Sequence, residues 1–115
     1  MLKSITAQEL AEILERDPDS LELIDVREAD EYKALYIKGA KLISGATLAE
    51  RMDEINWIKK TVFYCRSGAR SRLSANFASA RTGHDAYNLE GGIEELYSIS
   101  KKDFFDPDGG AEQLK

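Results

Sequence analysis

The sequence is poor in the residues that most often crosslink a small protein, with one cysteine and one histidine in 115 residues. A single cysteine cannot form an internal disulfide, and one cysteine with one histidine is too few for a structural zinc site. We therefore expect no metal and no cofactor, and a free thiol of the kind that reducing compartments permit. A chain of this length can bury one core without such crosslinks.

Long apolar runs are absent as well. No stretch approaches the roughly 18 apolar residues of a membrane span, and residues 1–10 lack the apolar core of a signal peptide. These absences predict a cytoplasmic protein with no membrane partner. The formal net charge of −5 argues against a nucleic-acid partner, because binding to a phosphate backbone needs clustered basic residues.

Strand-like and helix-like patterns alternate along residues 1–100, which we expect to form one domain. The strand-like segments are residues 21–26, 41–44, 61–65 and 86–89, and the helical ones are about residues 6–17, 28–35, 47–55, 69–82 and 93–99. Alternating units of this length predict an α/β fold, with an open, mostly parallel sheet of about five short strands and helices on both faces.

Two expectations concern packing. In the helix at residues 69–82, small residues together with Leu73, Phe77 and Ala80 are expected to form one helix face. Residues 101–115 are polar and contain a proline and a glycine pair, which predicts a loosely held C-terminal tail. Within this tail, Phe104 and Phe105 are apolar enough to pack back on the domain.

The cysteine, Cys65, ends the strand-like segment TVFYC and is followed within seven residues by three arginines and no acid. In parallel sheets the ligand crevice lies beyond the carboxyl ends of the strands, which is where this cysteine is expected. Gly68 permits the loop to curl tightly, so its backbone N–H groups can converge on the sulfur. Such a setting predicts a thiolate with a depressed pKa. A free cysteine is also often a buried small hydrophobe, but Arg66 and Arg70 favour a reactive thiol.

The loop CRSGARS, residues 65–71, resembles the active-site loop of rhodanese-domain sulfurtransferases, in which a cysteine opens a Cys-Arg-x-Gly-x-Arg loop between a strand and a helix. The segments LIDVREADEY, residues 23–32, and YNLEGGIEEL, residues 87–96, are similar to the first and the closing signatures of that family. The resemblance thus covers about residues 21–100. Two departures, Tyr36-Ile37-Lys38 for a usual His-Ile-Pro and Leu96 for a common Trp, lie outside the loop.

The resemblance implies a sulfurtransferase that moves a sulfane sulfur from thiosulfate or a similar donor to a thiol or cyanide acceptor through a persulfide on Cys65. It implies Cys65 as the catalytic residue, Asp25, Arg27 and Ser71 as supports of the loop, and a substrate-binding set of Arg66, Ser67, Gly68, Ala69 and Arg70. The implied partners are a small anionic donor and a thiol or cyanide acceptor, with a protein acceptor as an alternative. A monomer and a homodimer both stay open, as does which arginine faces the substrate.

Two rival functions stay open too. A phosphatase or arsenate reductase of related fold also uses a cysteine thiolate, but it places five residues between cysteine and arginine, whereas Arg66–Ala69 make four. A non-catalytic rhodanese-like module would bind a partner, but such modules commonly lack the cysteine.

Other notable residues have plainer interpretations. His84 is interpreted as a solvated turn residue in preference to the base of a cysteine hydrolase. The pair Gly91-Gly92 is interpreted as a turn, and Trp57 as core filling.

Overall fold

A computed structural model describes residues 1–107, in which short strands and helices alternate. The strands are β1 Leu2–Ile5, β2 Leu21–Asp25, β3 Tyr36–Ile37, β4 Lys41–Leu42, β5 Lys60–Tyr64, β6 Ala86–Leu89 and β7 Phe105–Asp106. The helices are α1 Ala7–Arg16, α2 Ala29–Ala34, α3 Ala69–Thr82 and α4 Gly92–Ile99. Within residues 1–107, no helix has the length and apolar character needed to cross a bilayer.

Five of the strands form one parallel sheet in the order β1-β6-β5-β2-β4, and the predicted α/β fold is confirmed. The remaining two, β3 and β7, pair antiparallel beside it. In the register of the central strands, Asp25 lies beside Tyr64, and Phe63 lies beside Asn88. The carboxyl ends of β2, β5 and β6 therefore meet at one edge of the sheet.

Apolar layers cover both faces of this sheet. Phe63 and Tyr64 are neighbours in β5, so their side chains point to opposite faces, and both are fully buried. Tyr64 packs with residues of α1 and α4, whereas Phe63 packs with Ala75 and Ala78 of α3. Two-sided burial explains why β5 has a nearly continuous apolar sequence.

The structure differs from the predicted elements at residues 47–55 and in having the strands β1, β3 and β7, which were not predicted. Residues 47–55 form two 3₁₀ turns, Leu48–Glu50 and Met52–Glu54, where one helix was predicted. Arg51 lies between the turns, pairs with Glu54 and donates to the carbonyl of Leu42, so tertiary contacts override a helix here. Strand β1 was not predicted, because four residues with Lys3 and Ser4 in the middle show too little apolar pattern; its pairing with β6 makes it a strand.

The three residues named for the predicted face of α3 are not buried. Leu73 is 74% exposed and Phe77 is 37% exposed, and Ala80 is exposed as well. The helix instead buries small residues, namely Ser71, Ser74, Ala75, Ala78 and Ser79. Small side chains suit this face because the facing side of the sheet already supplies large ones, such as Phe63 and Ile24.

The first part of the predicted tail lies on the domain. Phe105 is fully buried, pairs through β7 with β3, and packs edge-on against Tyr97 with 5.0 Å between ring centroids. Phe104 is partly buried and packs against the same apolar cluster. The remainder of that tail, residues 108–115, lies outside the described residues.

Candidate active site

Cys65 directly follows β5 and lies at the carboxyl edge of the sheet, facing the start of α3. The residue is 1% exposed. Its sulfur accepts hydrogen bonds from the backbone N–H of Gly68 at 3.1 Å and of Ser71 at 3.4 Å. The loop therefore curls around the sulfur, and the open N-terminus of α3 points at it.

The backbone of Gly68 makes this curl possible. Gly68 is the N-cap residue of α3 and has a φ of 104°, in the left-handed region that favours glycine. A Cβ at this position would also lie 3.1 Å from the carbonyl oxygen of Leu89. No side chain caps α3, so its first N–H groups are available to the sulfur of Cys65.

Opposing effects act on the pKa of the Cys65 thiol. Burial alone would raise this pKa, because it penalises the charged form. Hydrogen bonds from the hydroxyl and N–H of Ser71 and from the N–H groups of Gly68 and Ser67 outweigh burial and lower the pKa below its ordinary value. The loop thus favours the thiolate, the form of cysteine that acts as a nucleophile.

Ser71 and Asn88 form a buried polar pair beneath the sulfur. The Ser71 hydroxyl lies 3.4 Å from Sγ of Cys65 and 2.5 Å from Oδ1 of Asn88. Asn88 donates its amide to the carbonyl of Gly68 at 3.2 Å and to Glu90 at 3.1 Å, so its oxygen is left to accept from Ser71. The Ser71 hydroxyl has one proton, so it donates to one acceptor at a time. The shorter distance favours donation to Asn88, whereas the negative charge of a thiolate favours donation to the sulfur of Cys65.

Sequence reasoning missed Asn88, which is 1% exposed and thus belongs to the core. A signal was present, because an asparagine in the apolar strand segment AYNL is uncommon unless it has buried partners.

The N-terminus of α4 holds the loop from the other side. The N–H of Ile93 donates to the carbonyl of Cys65 at 2.9 Å, and the N–H of Glu94 donates to that of Arg66 at 3.1 Å. A Cβ on Gly92 would lie 2.2 Å from the oxygen of Arg66 and 2.6 Å from that of Cys65. Gly92 is therefore more than part of a turn, because only a glycine lets α4 approach the loop this closely.

The two arginines of the loop have different surroundings. Arg70 forms a bidentate ion pair with Glu31 of α2, at 3.0 and 3.1 Å, and it also interacts with the sulfur of Cys65. Hydrogen bonding to Arg70 is the main reason that the pKa of Glu31 falls to about 2. Arg66 is 71% exposed on its side chain and pairs with Glu94 at 3.1 Å. The guanidinium of Arg70 thus interacts with both Glu31 and the sulfur, whereas that of Arg66 pairs with Glu94.

Asp25 and Arg27 are buried together next to the site. Arg27 donates to Oδ2 of Asp25 at 2.8 Å and to the carbonyl of Leu35 at 2.5 Å. Among the described residues, the side-chain hydrogen bonds of this pair do not reach the cysteine loop. The support is indirect: Arg27 fixes the end of α2, and α2 carries Glu31, the partner of Arg70.

A groove of about 380 Å³ opens beside the loop between α2 and α4. It is lined by the apolar or aromatic residues Leu35, Ile93 and Tyr97 and also by the charged residues Arg66 and Glu31. A small reactant fits in this groove, next to the cysteine loop.

His84 and Trp57 lie away from the cysteine. His84 precedes β6 and Cys65 follows β5, so in a parallel sheet they occupy opposite edges. The exposed His84 ring stacks on the half-buried Trp57 at 5.1 Å between centroids, and Trp57 packs against the core cluster of Phe63. Within residues 1–107, no cluster of three metal-binding side chains occurs.

The sequence and the fold both match known proteins. The family model for the Rhodanese-like domain matches residues 6–98. The Bacillus subtilis protein YtwF is 36% identical over 80% of this chain and 87% of its own length. Thiosulfate sulfurtransferase GlpE of Pseudoalteromonas translucida is 27% identical over 84% of this chain and 92% of its own length. The chain spans 59% of a further relative, YqhL of Bacillus subtilis, with 35% identity over 64% of this chain.

A solved structure agrees with these matches. The crystal structure of a rhodanese-like domain protein from Staphylococcus aureus has a TM-score of 0.75 and 33% identity, covering 82% of this chain and 90% of that one.

Proposed function

Because the chain belongs to the rhodanese-like domain family, we propose that it is a sulfurtransferase that carries a sulfane sulfur as a persulfide on Cys65. The observation that carries this proposal is the convergence of the N–H groups of Gly68 and Ser71 on the Cys65 sulfur at the start of α3. This arrangement stabilises a negative charge on sulfur, and a persulfide has the same need for that stabilisation as a thiolate.

The reaction has two steps. The Cys65 thiolate attacks the outer sulfur of thiosulfate or a similar anionic donor, and an S–S bond forms to Cys65. The bond between the outer sulfur and the rest of the donor breaks, and sulfite, or the equivalent part of another donor, leaves with the electron pair. A thiolate or cyanide acceptor then attacks the outer sulfur of the persulfide. The bond to Cys65 breaks, the thiolate is regenerated, and the acceptor leaves with the sulfur.

The loop residues receive distinct roles in this proposal. The N–H groups of Ser67, Gly68 and Ser71 hold the charged sulfur in both states. Arg70 orients the anionic donor, because its guanidinium already interacts with the Cys65 sulfur and is positioned by Glu31. Arg66 adds positive charge at the mouth of the loop, where its side chain is exposed.

Intact-mass measurement after incubation with thiosulfate tests the proposal. The protein should gain one sulfur atom, and cyanide or a reductant should remove it. The Cys65→Ser variant should stay unmodified, and because the chain has one cysteine the assignment is unambiguous. No adduct from any sulfane donor would overturn the proposal. Turnover of an aryl phosphate that equals or exceeds that of thiosulfate would favour a phosphatase instead.

A further inference from the structure

The outward face of α3 carries apolar side chains that the fold leaves uncovered. Ala69, Leu73, Phe77 and Ala80 are spaced four, four and three residues apart, so they line one side of the helix. All four are exposed, and Leu73 in particular is 74% exposed. We call these four residues the α3 stripe. Apolar surface that is continuous and bordered by polar residues often marks a protein interaction site.

Positive charge borders the stripe. Residues 65–82 contain Arg66, Arg70, Arg72 and Arg81 and no acidic residue, although the whole chain has a net charge of −5. Arg66 and Arg70 pair with Glu94 and Glu31, whereas within residues 1–107 neither Arg72 nor Arg81 forms an ion pair. The guanidinium of Arg81 lies 5.2 Å from the centroid of the Phe77 ring. Exposed arginines beside an aromatic ring have the composition that interface cores favour.

The stripe begins at the active-site loop. Ala69 is the first residue of α3 and follows Cys65 by four positions. From Ala69 to Phe77 the helix rises about 12 Å at its usual 1.5 Å per residue. A protein bound along the stripe would therefore have its edge beside the mouth of the loop, within reach of a persulfide.

We propose that the α3 stripe and its arginines dock an acidic protein that presents a cysteine thiol to Cys65 as the sulfur acceptor. This inference rests on the proposed sulfurtransferase function and specifies its acceptor. In the transfer step, the thiolate of the docked protein attacks the outer sulfur of the persulfide, and the Cys65 thiolate departs with the electron pair. Charge complementarity would speed the encounter and select acidic partners.

A synthetic acceptor tests the proposal even though the natural partner is unidentified. The probe is an amphipathic helical peptide with leucines on one face, glutamates on the other and one cysteine near its end; a matched peptide has lysines for the glutamates. From the Cys65 persulfide, we expect the glutamate peptide to accept sulfur at least about tenfold faster than the lysine peptide. Added salt should reduce this advantage.

Matched substitutions locate the docking face. Leu73→Glu and Arg81→Glu should each slow transfer to the glutamate peptide about tenfold, because the first adds negative charge to the stripe and the second adds it beside the stripe. The controls Ile58→Glu and Arg16→Glu make the same changes at exposed residues elsewhere: Ile58 is 97% exposed, and Arg16 ends α1. All four variants should transfer sulfur to dithiothreitol at the rate of the unchanged protein. Equal rates with the peptide for all four would overturn the proposal.

Binding is measured separately from chemistry. Fluorescence anisotropy with the glutamate peptide, its cysteine replaced by serine, needs no persulfide, so docking is tested even if thiosulfate fails to load Cys65. Weaker binding by Leu73→Glu and Arg81→Glu than by their controls supports the proposal. Stripe-dependent binding of vesicles containing phosphatidylserine, or of a single-stranded RNA, in preference to the peptide would overturn it.

Discussion

The N-termini of α1 and α3 use equivalent backbone groups for different purposes. In α1, the N–H of Glu9 at the third helical position donates to the hydroxyl of Thr6 at 3.1 Å, and the N–H of Thr6 donates to Oε1 of Glu9 at 2.9 Å. In α3, the N–H of Ser71 at the same position donates to the sulfur of Cys65. One helix end is closed by its own side chains, and the other is left open for a charged sulfur.

The closed N-terminus of α1 contributes to the stability of the fold, whereas the open N-terminus of α3 contributes to the chemistry of the sulfur. A capping box satisfies the free N–H groups of a helix and stabilises it locally. At α3 the N-cap is a glycine without a side chain, so the positive end of the helix acts on whatever anion sits there. The start of α4 is a third case, because its N–H groups bind the carbonyls of Cys65 and Arg66 and hold the loop in place.

The largest effect is expected where α4 meets the loop. In Gly92→Ala, the new Cβ would lie 2.2 Å from the carbonyl oxygen of Arg66, and residue 92 has a φ of 64°. The loop must move, and displacement of a reacting group by about 1 Å can cost about 100-fold in rate. We expect persulfide formation, followed by mass spectrometry, to slow at least that much.

Gly83→Ala is the matched control, because Gly83 has a φ of 79° at the C-terminus of α3 and nothing within 4 Å of its would-be Cβ. It should cost about 1 to 2 kcal/mol of stability for the left-handed backbone and leave the rate unchanged. A Gly92→Ala variant that is folded by circular dichroism and reacts at the normal rate would show that the α4 contacts do not position the loop.

Acidification should have the next largest effect. Because the loop lowers the pKa of Cys65, the rate of persulfide formation should reach half its maximum at a lower pH than for an unperturbed cysteine thiol. Below the lowered pKa the rate should fall about tenfold for each pH unit, because the thiolate fraction falls by that factor. A half-maximal rate at the pH expected for an unperturbed cysteine thiol would contradict the role of the α3 N–H groups.

The lowered pKa of Cys65 also makes the free energy of unfolding depend on pH. A thiol whose pKa is lower in the folded state stabilises the fold fully above its unfolded pKa, and this contribution disappears as the pH falls through the folded pKa. The free energy of unfolding should therefore depend less on pH in this interval in Cys65→Ser than in the unchanged protein.

Removing one donor should have a smaller effect than acidification. Ser71→Ala deletes the hydroxyl that lies 3.4 Å from the sulfur but keeps the N–H groups of Ser71 and Gly68. The pKa of Cys65 should rise, slowing the reaction up to about tenfold at a pH below both pKa values. Thiolate absorbance in the ultraviolet, titrated against pH, reports the shift directly.

Ser74→Ala is the control for this change, since Ser74 is a serine on the buried face of the same helix. A titration curve for Ser71→Ala that coincides with those of Ser74→Ala and the unchanged protein would mean that the hydroxyl serves Asn88 alone.

The sequence was informative where chemistry depends on local spacing. The strand before Cys65, the glycine at the turn and the helix after it follow from residues 61–82, and the confirmed parallel sheet follows from the alternation of elements. Contacts between distant segments were not predictable: the bond from Asn88 to the loop and the close approach of Gly92 depend on how β6 and α4 meet β5. The exposure of Leu73 was not predictable either, because the periodicity of apolar residues cannot distinguish a buried helix face from an uncovered one.

The smallest effect on chemistry is expected at the capped helix. Thr6→Ala removes the side chain that closes α1, which should lower the free energy of unfolding by about 1 kcal/mol. Thr6 belongs to the helix end that does not face the sulfur, so persulfide formation and the pKa of Cys65 should stay unchanged. Denaturant unfolding and the thiolate titration measure the two quantities on the same samples. A shift in the thiol pKa of this variant would show that the two helix ends are coupled, and that stability and chemistry are not separated in this fold.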